Sequence, residues 1–115
     1  MIGVRRGSWS WLLQRVTGVY LVIGIVVHFW VLHYSGDPLA KEFQHVAHRL
    51  SRPGWFLFDL SLLFAALYHG LNGIYNIILD FNIREGARKV VGWILWWIGV
   101  IASGLGIWIL TSFAR

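Results

Sequence analysis

Leu67-Tyr68-His69-Gly70-Leu71-Asn72-Gly73-Ile74-Tyr75-Asn76-Ile77-Ile78-Leu79-Asp80-Phe81-Asn82 is the stretch whose reading decides the fold. It sits in an otherwise apolar segment that begins near Trp55 and places a histidine, asparagines and an aspartate at helical spacing. Such groups are costly in hydrocarbon unless they find partners. At about 100° per residue, His69, Gly73, Asn76 and Asp80 share one helix face, which makes that face a candidate site.

The surroundings of this stretch belong in a membrane. Of 115 residues, 57% are hydrophobic and 13% charged, whereas about a quarter of residues carry charge in an ordinary soluble domain. Three apolar runs, with spans expected at about 15–34, 55–80 and 90–113, each reach the roughly 20 residues needed to cross a bilayer core of about 30 Å. The expected class is an all-α membrane protein with three transmembrane helices, forming a single membrane domain over 1–115. The first run is too long for a signal-peptide core and is expected to be retained. With no cysteine, thiolate metal sites, disulfides and thioether-attached haem are excluded.

The net charge of +5 does not gather into a nucleic-acid-binding patch, because the basic residues stand at the ends of the spans. Arg5, Arg6, Arg15, Arg84, Arg88 and Lys89 fall on one side, six against the four of Lys41, Arg49, Arg52 and Arg115 on the other. That bias predicts a cytoplasmic N-terminus. Residues 1–14, with Trp9 and Trp11, are expected at the headgroup interface, and Arg15 is expected to open the first span, either snorkelling or contacting a ligand. Gln14, Thr17, Leu21, Gly24 and His28 form a stripe along that span.

Residues 38–52 predict a short amphipathic helix on the bilayer surface, with Leu39, Phe43, Val46 and Leu50 on one face. His45 and His48 in it lack a third metal ligand and are expected to be solvated. In the third span Gly92, Gly99, Ser103 and Gly106 make a stripe of small residues suited to close helix packing in lipid.

His69 lies 11 residues from Asp80, roughly 16 Å inside the span. A neutral imidazole there either binds haem iron through Nε2 or is bonded within a bundle core. The topology brings Asp80, Arg15, Ser8 and Ser10 to one membrane face. They form either the polar mouth of a quinone pocket or ordinary links between helix ends.

The order Gln-Arg-Val-Thr-Gly-Val at 14–19, Tyr-His-Gly-Leu-Asn-Gly-Ile at 68–74 and Leu-Asp-Phe at 79–81, followed by a third apolar span, resembles the cytochrome b membrane-anchor subunits of succinate dehydrogenase. The resemblance runs from about Ser8 to the C-terminus. It implies a membrane anchor, in a bacterial or archaeal cytoplasmic membrane, that docks an iron-sulfur subunit and a flavoprotein, pairs with a second anchor subunit, and does not itself oxidise succinate. It further implies His69 as a haem b ligand, Arg15 beside the quinone and the haem propionates, and Asp80 beside the pocket for ubiquinone or menaquinone. Related anchors with Asp-Tyr bond the quinone through the tyrosine. Phe81 has no hydroxyl, so the donor is expected from the partner chain or from another residue here.

Gln-Arg-Val-Thr favours the D-type over the C-type anchor. His28, deep in the first span, matches the extra histidine of two-haem relatives, so one or two haems are expected. A quinol:fumarate reductase anchor and a non-redox membrane scaffold are the alternatives.

Overall fold

The computed structural model describes residues 6–34 and 42–114, with side chains described from Trp9 onward. Four helices follow one another: α1 (Arg6–His33), α2 (Phe43–Leu50), α3 (Pro53–Leu79) and α4 (Glu85–Ala114). No strand occurs among the described residues. Three of the helices, α1, α3 and α4, are long and apolar enough to cross a membrane, as the three apolar runs predict.

Local chemistry sets the helix ends. Pro53 opens α3 behind the extended Arg52, a position where a missing N–H and a fixed φ cost nothing. At the other end the Asp80 N–H bonds back to the Asn76 and Ile77 carbonyls. Asn82, at φ 56°, then turns the chain, a left-handed conformation that asparagine tolerates better than most residues. Glu85 stands in the first turn of α4, where a negative charge suits the helix dipole.

Two boundaries differ from expectation. The span expected at about 15–34 lies in a helix already formed at Arg6, so Arg15 is enclosed by helix on both sides. The tryptophans of this region mark a preferred depth for indoles, but neither they nor their neighbours break a helix. The surface helix expected over 38–52 is α2, of eight residues, and the part of that expectation before Glu42 lies outside the described residues. Leu50 is buried and the rings of Phe43 and Phe113 lie 4.9 Å apart, which holds α2 against the far ends of α3 and α4.

The three long helices form an open layer with α3 in the middle. α1 and α4 each pack along α3, and among the described residues their backbones do not approach each other closely. The two seams differ chemically. Along α3 and α4, Gly99 and Gly106 face Leu71 and Leu63 so closely that an added Cβ would stand 3.0 Å and 2.4 Å from them. The small-residue stripe of the third span is thus spent on close approach to α3. Along α1 and α3, Gly24 admits Leu62, but most of the contact is polar. The expected stripe of Gln14, Thr17, Gly24 and His28 is the face of α1 turned to α3.

Candidate functional site

The α1–α3 seam is built around His69. Its Nδ1 lies 3.1 Å from the Gln14 carbonyl oxygen and 3.2 Å from Thr17 Oγ1. Thr17 donates its own hydroxyl hydrogen to the Leu13 carbonyl at 2.6 Å, so its oxygen is free to accept. Both contacts are satisfied by a neutral imidazole with its proton on Nδ1, which leaves the lone pair on Nε2. Among the described residues no hydrogen bond to Nε2 is present. The ring rests against Gly18, where a Cβ would come within 3.1 Å of Cε1.

Three further polar groups hold this arrangement. Gln14 Nε2 donates to the His69 carbonyl at 3.1 Å, and Gln14 Oε1 accepts from Asn72 Nδ2 at 2.9 Å. Ser10 Oγ donates to Asn72 Oδ1 at 3.1 Å. Asn72 is buried, with 6% of its surface exposed, so these bonds offset a desolvation cost that an unpaired amide would carry in full. Sequence reasoning missed Gln14, Thr17, Gly18 and Asn72 as site residues. The signal for the first two was their shared stripe with His28; for Asn72 it was an amide placed deep in an apolar span.

His69 forms part of the wall of a groove of about 700 Å³. Ser10, Trp11, Arg15, Gly18 and Asn76 also line it. Here the Arg15 guanidinium lies over the Trp11 ring, 4.4 Å from its centroid, a cation–π contact that steadies a long side chain. Of the sequence-predicted site residues, the structure therefore brings together His69, Arg15 and Ser10. Asp80 is exposed at the end of α3 and does not line the groove. The side chain of Ser8 lies outside the described residues.

His28 stands apart, toward the other end of α1. Its Nδ1 is 3.6 Å from Asp59 Oδ1, with the Asp59 side chain only 12% exposed. The two histidines of α2 show no metal set: among the described residues no cluster of three or more His, Cys, Asp or Glu could hold an ion. His48 Nε2 instead lies 3.4 Å from an Arg52 nitrogen.

Three helices long and apolar enough to cross a membrane, with few buried residues among those described, define a multi-pass membrane protein. The chain belongs to the succinate dehydrogenase/fumarate reductase transmembrane subunit family, whose model matches residues 1–106. It is 36% identical over 99 residues to a succinate dehydrogenase hydrophobic membrane anchor subunit of Thermoplasma acidophilum, covering 85% of this chain and 80% of that one. A subunit of the same description from Archaeoglobus fulgidus is 32% identical, over 70% of this chain and 66% of the relative. The succinate dehydrogenase cytochrome b558 subunit of Bacillus subtilis is 26% identical, over 71% of this chain and 41% of its own length. Membership makes the chain a membrane-anchor subunit of the succinate dehydrogenase/fumarate reductase class. The anchor descriptions agree with the D-type expectation.

Proposed function

We propose that this anchor holds a b-type haem through His69 Nε2 and helps form the site where a quinone is reduced with electrons from succinate. The observation that carries this reading is the fixing of His69 Nδ1 by Gln14 and Thr17. A metal-ligating histidine characteristically spends its other ring nitrogen on a carbonyl or hydroxyl, which sets tautomer and orientation. The residues present fit the group: an Nε2 with no hydrogen-bond partner among the described residues, on a ring seated against Gly18, and a cation, Arg15, on the same groove for the propionates. When bound, the haem supplies a one-electron redox centre inside the hydrocarbon.

The rest is done by the protein's own groups. His69 would hold the haem iron through Nε2, together with a ligand from a second anchor subunit. Arg15 and Ser10 offer hydrogen-bond donors to an anionic or carbonyl oxygen at the groove. Asp80, exposed at the same end of α3, passes protons from the cytoplasmic side, because reduction of a quinone to a quinol consumes two protons with its two electrons. Succinate is oxidised in a flavoprotein subunit, and an iron-sulfur subunit between it and the anchors delivers the electrons. The relative described as a cytochrome b558 subunit supports haem b in this family. Ubiquinone and menaquinone both fit this chemistry, and the setting is a bacterial or archaeal cytoplasmic membrane.

His28 would hold a second haem, with Asp59, 3.6 Å from its Nδ1, orienting the ring in the way a carboxylate orients a metal-bound imidazole. Haem content and reduced-minus-oxidised spectra of the purified complex test both assignments. His69→Ala should remove one b-type band, and His28→Ala a different one. Full haem content in His69→Ala would overturn the ligand assignment; full content in His28→Ala would leave a one-haem anchor.

A further inference from the structure

A second groove, of about 880 Å³, runs along α3 between α1 and α4. It is almost wholly apolar and reaches from Tyr75 to Phe64 on α3, roughly 16 Å at 1.5 Å per residue. On α4 it follows one face through Gly92, Trp96, Val100 and Gly104. Continuing that face outward by a single turn reaches Arg88 and Lys89, at four and three residues before Gly92, and both are exposed.

Another transmembrane helix is a poor occupant. Of the glycines lining this groove, Gly99 is already taken up by Leu71 and Gly92 faces Tyr75, and only Gly104 meets nothing within 4 Å. A quinone ring is poorly served too, since Arg15 lines the His69 groove and not this one. What remains unmatched is an apolar channel headed by cations. Arg84, Arg88 and Lys89 outnumber the acids of the same region, Asp80 and Glu85, by three to two. Of these acids, Glu85 stands a further turn out along α4 and Asp80 closes α3.

We infer that this groove is a binding site for an anionic phospholipid, with its phosphate at Arg88 and Lys89 and an acyl or isoprenoid chain lying between α1 and α4. Basic residues at a membrane surface attract anionic headgroups, and the exposed indoles of Trp9 and Trp96 at the mouth suit the headgroup region. The site shares Ser10 with the His69 groove but does not depend on the haem or quinone assignments.

The test uses the assembled complex in vesicles of equal phosphatidylcholine and phosphatidylglycerol. After gentle detergent extraction, the lipids retained are counted by native mass spectrometry. The wild type should retain phosphatidylglycerol over phosphatidylcholine by roughly tenfold. The Arg88→Gln/Lys89→Gln double variant should bring the ratio near one with haem spectra unchanged, and Gly104→Leu should lower total retention. Equal retention of the two lipids by the wild type, or an undiminished preference in the double variant, would overturn the site. So would a quinone tail or a partner helix seen in the groove by electron cryomicroscopy. Should Gly104→Leu fail to assemble, the double variant decides.

Discussion

His69 is held by two contacts of different kinds, and they separate under mutation. Thr17→Val removes the hydroxyl at 3.2 Å but leaves the Gln14 carbonyl in place. The imidazole keeps its proton on Nδ1 and loses part of its orientation. The expected outcome is a roughly tenfold weaker hold on haem, in line with losses on removing such supporting partners, read as haem per complex after dilution. Gly18→Ala acts by volume, since its Cβ would stand 3.1 Å from Cε1. The ring must shift, and a displaced absorption maximum should accompany reduced occupancy, whereas Gly70→Ala, where a Cβ meets nothing within 4 Å, should leave the spectrum unchanged.

Gln14→Leu strands the buried Asn72 amide and should cost about 1–3 kcal/mol, measured as a lower temperature of dissociation. The sequence made His69, Arg15 and Ser10 legible because unusual residues in lipid announce themselves by type. Gln14 and Asn72 were harder, because an amide's value depends on which partner another helix carries to it.

Among the helices, the seams were legible to different degrees. The spacing of Gly92, Gly99, Ser103 and Gly106 predicts a packing face, and Gly99 and Gly106 do meet α3 side chains. Pro53 likewise marks the start of α3 in both sequence and structure. The start of α1 was not legible, because an interfacial preference says where a tryptophan wants to be and nothing about whether the backbone there is helical. Gly106→Leu sets bulk where an added Cβ would already lie 2.4 Å from Leu63. Overpacking of this kind costs about 1–3 kcal/mol. Since α4 takes no part in the His69 groove, the variant should dissociate at lower temperature while any complex that survives keeps its haem spectrum.

The described residues form hardly any interior. Only Gly24, Leu50, Leu62, Ala65, Asn72 and Tyr75 are buried among the described residues, and the outer side of α1, from Val16 and Val19 through Ile23 to Trp30, is exposed. Lipid covers such a surface without loss, because hydrocarbon is as apolar as the side chains themselves. The His69 groove is different, since its Arg15 and imidazole are poorly served by lipid. Expressed without other subunits, the chain should enter membranes with its three spans intact and retain less than a tenth of the haem per chain found in the complex. Haem assay and protease protection measure the two properties separately. The three-span layout was legible from hydropathy alone; the openness of the layer was not, because periodicity records which faces are apolar and does not distinguish a neighbour from a lipid.

The contrast between the two seams of α3 bears on timing as well as architecture. A seam of glycines tolerates small slides, since any nearby notch accepts a leucine. The bonds joining Ser10, Gln14 and Thr17 to His69 and Asn72 accept a single register, because slipping α1 by one residue breaks all of them together. The polar seam thus works as a vernier between two helices. It fixes the height of the Arg15 cation against the imidazole and, on the proposed assignments, would set the distance an electron crosses between a haem at His69 and a molecule held by that arginine.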